Sequence, residues 1–165
     1  MKIIVISDTH MPRMAKGLPS RLKSELITAN LILHAGDWQT REVFEALISY
    51  APVDGVCGNV DGQDLIEKFG YKKILTLEGF RIGLVHGHGR KGTTEERAIE
   101  AFSGTELDMI IFGHSHIPMK KKVDGMILFN PGSPTDKRKL SKYSFGIIRI
   151  GEALTVEHVF YSDKR

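Results

Sequence analysis

Met109-Ile110-Ile111-Phe112-Gly113-His114-Ser115-His116 is a short apolar run that closes on a glycine and then places two histidines around one small residue. Side chains two apart on an extended chain project to the same side. His114 and His116 are therefore expected to leave the end of a buried strand side by side. Neutral imidazole is the commonest protein metal ligand. By itself the motif fits a metal site and a pair of structural histidines equally well. Its weight comes from the rest of the chain, which builds the same kind of strand end four more times.

Outward from this stretch the pattern is regular. Residues 2–6 form a β-branched run that reads as a buried strand, closed by Ser7-Asp8-Thr9-His10. A helix is predicted over 19–28, started by Pro19, and a second strand over 30–33 that ends in His34-Ala35-Gly36-Asp37. A helix over about 40–50 stops at Pro52, and a strand over 53–56 ends in Cys57-Gly58-Asn59-Val60-Asp61. Residues 65–69 read as a helical turn, and 73–77 with 81–85 as a hairpin through Glu78-Gly79 that ends in His86-Gly87-His88-Gly89. Thr93 or Thr94 is expected to cap a helix over 95–103, before the strand over 107–112. After that, 119–123, 126–129, 143–150 and 154–161 read as strands with no helix between them, the first two joined by Asp124-Gly125. Alternating strands and helices followed by a run of strands predict an α/β (α+β) domain, residues 1–165, made of two packed sheets with helices outside.

The bulk composition narrows the class. A chain of 165 residues, 41% hydrophobic, suits one domain with a real core. No apolar run approaches the ~20 residues that span a bilayer, and the apolar start is too short for a signal peptide, so a cytoplasmic protein is expected with no membrane partner. One cysteine, Cys57, excludes an internal disulfide and a thiolate metal cage; it reads as a buried small apolar residue. The net charge of +3 fits an anionic substrate without demanding nucleic acid. The basic residues cluster late, at Lys120–Lys122 and at Lys137, Arg138, Lys139 and Lys142; a solvated strand and loop is the plain reading, phosphate steering the sharper one. Trp38 is the single tryptophan, so base stacking along a nucleic acid has no platform.

Five strand ends thus carry ligand-type residues: Asp8 with His10, Asp37, Asn59, His86, and His114 with His116. Ligands of open α/β sheets bind beyond the carboxyl ends of the strands. Seven such groups at one edge would repel one another or lie desolvated, and divalent cations remove that conflict. Two carboxylates, four imidazoles and one amide suit two metals, with one carboxylate shared. Nitrogen and oxygen ligands without thiolate suit Mn, Fe, Ni, Co or Zn.

Asp8-x-His10, Gly36-Asp37, Gly58-Asn59, His86 and Gly113-His114-x-His116 resemble the calcineurin-like metallophosphoesterases, block for block and in the family's order. The short length and the loop Asn130-Pro131-Gly132-Ser133 are similar to the small prokaryotic phosphodiesterase branch of that family. The resemblance implies a four-layer sandwich of two mixed sheets flanked by helices. It implies two divalent transition metals, Mn first among them, with Asp8, His10 and His116 on the first, Asn59, His86 and His114 on the second, and Asp37 bridging. A metal-activated hydroxide would then attack the phosphorus of a small phosphodiester.

One position departs from the family. Many members carry a histidine after Gly-Asn that is credited with protonating the leaving oxygen, and this chain has Val60 there. A general acid is worth roughly 10²–10⁴-fold. His88, two residues from a ligand, is the nearest substitute; Asp61 is a candidate to orient Asn59. Arg13, Asn130 and Ser133 are candidates to touch substrate, while His34 reads as a packed structural histidine and His158 as a surface one. The competing readings are a phosphomonoesterase or cyclic-nucleotide phosphodiesterase on the same site and, in a different class, a protein-binding scaffold such as the retromer subunit of this fold, whose metal ligands are incomplete. A homo-oligomer is compatible with the sequence.

Overall fold

The computed structural model describes residues 1–165. Ten strands form two five-stranded sheets. In the first, β1 (Lys2–Ile6), β2 (Leu31–His34) and β3 (Val53–Gly55) run parallel, and the long antiparallel pair β9 (Tyr143–Ile150) and β10 (Leu154–Tyr161) extends it in the order β10-β9-β1-β2-β3. In the second, β4 (Lys72–Leu77), β5 (Phe80–Val85), β6 (Met109–Ile111), β7 (Met119–Val123) and β8 (Met126–Asn130) stand in the order β4-β5-β6-β8-β7, with β5, β6 and β8 parallel. The strand expected over 107–112 is shorter, because the chain turns away after Ile111.

Three apolar interfaces stack these layers. Ile4, Ile6 and Ile32 face α1 (Ser20–Leu26), α2 (Arg41–Ile48) and α3 (Gln63–Phe69) through Leu22, Leu26, Val43, Leu47, Leu65 and Phe69. Ile3, Val5 and Leu33 point the other way and meet Ile82, Leu84, Met109 and Ile111 of the second sheet. Ile110 and Leu128 on that sheet's far face pack under α4 (Thr94–Ala101) through Ala98 and Phe102. Alternate residues of β1 thus face different layers, which explains why the strand is apolar throughout instead of alternating with polar residues. The architecture is the four-layer sandwich expected from the sequence.

Local signals act where expected. Thr93 and Glu96 form a reciprocal capping box at the start of α4. Pro19 sits just outside α1, which ends at Leu26, two residues earlier than its apolar spacing predicts. His158 is not a surface residue: it is half-buried, stacks on Phe129 and bonds the Asn130 carbonyl through Nε2 at 2.7 Å. The parallel strands of both sheets end at one edge, and the loops leaving β1, β2, β5 and β6 converge there.

Candidate metal centre

Six side chains at that edge form two adjoining groups, Asp8 with His10 and His116, and Asp37 with His86 and His114. In each group the three ligand atoms lie within 4.8 Å of one another. The groups share a boundary: His10 Nε2 lies 3.5 Å from Asp37 Oδ2, and His86 Nε2 lies 3.6 Å from Asp8 Oδ1. His114 and His116 do not stand side by side as on an extended strand. Both adopt left-handed backbone, φ 69° and 62°, and the turn sends them to different groups. Asp8, His10 and Asp37 are left-handed too, with φ 58°, 44° and 60°. Such conformations cost about 1–2 kcal/mol per non-glycine residue and persist only where surrounding bonds over-determine them.

Those bonds are present. Asp8 Oδ2 accepts from the Ser7 hydroxyl at 2.7 Å and the His114 N–H at 3.0 Å, which leaves Oδ1 facing the centre. Asp37 Oδ1 accepts the Val60 N–H at 3.1 Å, while Oδ2 faces His86 Nε2 at 3.1 Å. His86 Nδ1 donates to the Ala35 carbonyl and His116 Nδ1 to the Asp136 carbonyl, both at 2.8 Å. A carbonyl only accepts, so in the neutral ring each Nε2 keeps its lone pair and aims it inward. Gly58 and Gly113 leave the room: a Cβ at Gly58 would lie 2.6 Å from His86 Cδ2, and one at Gly113 2.7 Å from Asp8 Oδ2.

Asp8 Oδ1 and the Nε2 atoms of His10, His86 and His116 are buried with no hydrogen-bond partner. Lone pairs facing lone pairs at 3.1–3.7 Å repel unless positive charge lies between them. Burial opposes ionisation of Asp8, yet the imidazoles of His86, His10 and His116 hold its carboxyl far below the ordinary range. Burial likewise disfavours charged His86, but Asp8 and Asp37 raise its pKa to about 9. One proton on His86 satisfies one contact and leaves His10 and His116 unmatched. A donor set of carboxylate and imidazole without sulfur therefore fits divalent metal ions.

Residues 1–153 match the profile of the calcineurin-like phosphoesterase superfamily domain. The chain belongs to that superfamily. It is 39% identical over 161 residues to a probable metallophosphoesterase of Methanothermobacter thermautotrophicus, covering 95% of this chain and 91% of that one. Among solved structures it resembles zinc-bound Vps29 of Entamoeba histolytica, with TM-score 0.78, 25% identity and coverage of 97% and 99%. A novel archaeal phosphodiesterase shares the fold, with TM-score 0.74, 22% identity and coverage of 98% and 100%. As a calcineurin-like phosphoesterase, the chain is a hydrolase of phosphoric ester bonds.

The other residues singled out from the sequence stand at different distances from this calcineurin-like centre. Asn59 is exposed on the rim after β3. His88 borders the second group, its ring 5.6 Å from that of His86 and its Nδ1 buried without a partner. Burial, and then the charge on His86, lower its pKa. Arg13 is exposed on the loop after His10. Asp61 makes no side-chain hydrogen bond to Asn59; its carboxylate takes the N–H groups of Gly58, Asp37 and Gln39 at 2.8–2.9 Å and so ties the turn after β2 to the turn that carries Asn59. Asn130 and Ser133 are fully buried and turned away from any open face. The Asn130 amide bonds the Gly113 carbonyl, Ser115 Oγ and the Gly132 N–H; the Ser133 hydroxyl donates to the Asp8 carbonyl at 2.8 Å.

Several contributors escaped the sequence reading. Ser7 orients Asp8 and the Asp136 carbonyl orients His116, both candidate ligands, and the Arg97 guanidinium gathers the carbonyls of Gly87, Lys91 and Gly92. Asp136 acts through its backbone, which no residue type announces. Ser7 is legible in hindsight as a hydroxyl beside an acid at a strand end.

Proposed function

We propose that this chain is a metal-dependent phosphodiesterase that hydrolyses small organic phosphodiesters at a dinuclear centre. The observation that carries the reading is the pair of adjoining ligand groups with their unpartnered, inward-facing atoms. Asp8, His10 and His116 would hold one ion, and Asn59, His86 and His114 the other, with Asp37 shared between them. Manganese is the favoured metal, with Fe, Ni, Co or Zn as alternatives. Two divalent ions supply an acidified water and neutralise charge on the phosphoryl oxygens.

The protein's own groups would do the rest. Ser7, Asp61, Asn130, Ser133 and Asp136 hold the ligand loops in shape, so little reorganisation is needed when a substrate arrives. Exposed Arg13, on the loop after His10, would meet a phosphate, and His88, beside the second group, would hydrogen-bond an ester oxygen. Exposed Val60 offers no proton to a departing alkoxide, which favours esters with acidic leaving groups. No helix of the chain is long and apolar enough to cross a membrane. Cys57 is buried, its thiol pKa raised to about 12 by burial, so it is kept un-ionised and unreactive; the location this reading favours is the cytoplasm.

The test is hydrolysis of bis-p-nitrophenyl phosphate and p-nitrophenyl phosphate by metal-stripped protein before and after addition of Mn²⁺. Metal-dependent cleavage with the diester preferred is the expected result. A monoester preference would make the enzyme a phosphatase. Absence of cleavage with every divalent metal would leave the scaffold reading, which the Vps29 likeness in fold favours.

A further inference from the structure

The loop that follows Ser133 carries Lys137, Arg138 and Lys139, and none of the three forms an ion pair with a carboxylate. The other late basic run is already engaged. Lys121 pairs with Glu95 at 2.6 Å and Lys120 donates to the Val156 carbonyl at 2.8 Å, both from edge strand β7.

The loop is bolted to the metal centre. Ser133 Oγ donates to the Asp8 carbonyl, Thr135 Oγ1 to the Thr9 carbonyl, and the Asp136 carbonyl receives the proton of His116 Nδ1. Asp136 then turns the chain: its Oδ1 accepts the Arg138 N–H at 3.2 Å, and Arg138 is left-handed at φ 50°. The Leu140 N–H closes the turn on the Lys137 carbonyl at 2.9 Å. The result is a cavity of about 440 Å³ with His116 and Ile117 on one wall and Lys137, Arg138, Lys139 and Leu140 on the other. Ile117 is 54% exposed. Ile117 and Leu140 give the cavity apolar lining, and Lys137, Arg138 and Lys139 bring three cations against the single carboxylate of that loop, Asp136, with Lys137 also lying 5.6 Å over the Tyr143 ring; the excess positive charge favours an anion. A larger cavity beyond His88, about 650 Å³, holds Arg90 and Lys91 but also Glu96 and Glu100, so its charge is mixed.

We propose that the cavity beside His116 is an anion subsite for a second phosphate, and that the preferred substrate is a nucleotide-sized phosphoester bearing a phosphate besides the scissile one. The word substrate rests on the hydrolase reading above; the binding of the second phosphate does not. Arg138 and Lys139 are the phosphate contacts, with Ile117 and Leu140 against the sugar or base.

The experiment is a calorimetric titration of the Mn²⁺-loaded protein with thymidine 3′,5′-bisphosphate and with thymidine 5′-monophosphate. Both ligands offer the same 5′-phosphate to the metals, so the difference reports the second phosphate. The bisphosphate is expected to bind at least about tenfold tighter at low salt, with the gap shrinking as salt is added. An Arg138→Asn/Lys139→Gln double variant should close the gap; asparagine tolerates the left-handed backbone at that position. Equal affinities in the unaltered protein, no binding of either nucleotide, or a gap that survives in the variant would each overturn the subsite. Hydrolysis of bis-p-nitrophenyl phosphate, followed in parallel, separates the two readings. A gap that the variant closes, seen without hydrolysis, removes the phosphodiesterase reading and keeps the subsite, and hydrolysis without a gap does the reverse.

Discussion

His116 donates its Nδ1–H to the Asp136 carbonyl across 2.8 Å, and its Nε2 in consequence faces Asp8 Oδ1 at 3.5 Å. Second-layer bonds of this kind set which nitrogen is free to bind a cation. His116→Ala should therefore lose bound metal and at least about 100-fold in turnover of bis-p-nitrophenyl phosphate, while the metal-free protein still melts cooperatively. Metal analysis, turnover and circular dichroism check it together; unchanged turnover would remove His116 from the ligand set.

Asp61 joins the turn after β2 to the turn after β3 through three N–H donors. Buried N–H groups left without an acceptor cost about 1–3 kcal/mol each. Asp61→Ala is expected to destabilise the fold by about 2–4 kcal/mol and to weaken metal binding about 10–100-fold. Asp61→Asn keeps an acceptor oxygen and should recover part of both losses. Urea unfolding and Mn²⁺ titration of the two variants measure this, and equal effects would show that charge, not geometry, is what Asp61 provides.

His34 gives the protein a pH-dependent stability. It is fully buried, stacked on Trp38 at 3.9 Å, with Nδ1 accepting the Gly36 N–H and Nε2 donating to Thr9 Oγ1. Burial lowers its pKa to about 3, against 6.5 for a free imidazole. Between those values the unfolded chain binds the extra proton, so stability is complete above pH 6.5 and falls as the pH drops. The slope from this group is about 1 kcal/mol per pH unit. In the presence of EDTA, His34→Gln should show a shallower decline in urea midpoint from pH 6.5 to pH 4 than the unaltered protein. Parallel declines would mean that His34 is charged in the fold.

Val60 is exposed, and its N–H already orients Asp37. Val60→His keeps that backbone bond and adds an imidazole at the rim. It is expected to raise turnover of dialkyl phosphodiesters, whose leaving groups need a proton, relative to bis-p-nitrophenyl phosphate, whose leaving group does not. Competitive assays of the two substrates give the ratio; a ratio equal to that of the unaltered protein would show that leaving-group protonation is not limiting.

Much of the site is legible from strand ends. Asp8, His10, Asp37, His86, His114 and His116 each follow an apolar run, and a parallel sheet delivers such residues to one edge whatever the loops do. The glycines at 58 and 113 are also readable as places of close approach, though not which side chain approaches. Asn130 and Ser133 misled because a polar residue in a turn-rich loop looks the same in sequence whether it faces a substrate or a neighbouring carbonyl.

The sequence by itself determined the layers, the ligand types and the metal chemistry they admit, because strand periodicity, capping and donor softness are properties of local residues. Only the tertiary structure decided the left-handed turns that part His114 from His116, the union of β9 with β1 across more than a hundred residues, and the seating of the Lys137–Lys139 loop against His116. Those outcomes depend on left-handed turns and on backbone carbonyls such as that of Asp136. Every residue carries the same carbonyl, so its partner is chosen by the packing of the whole chain.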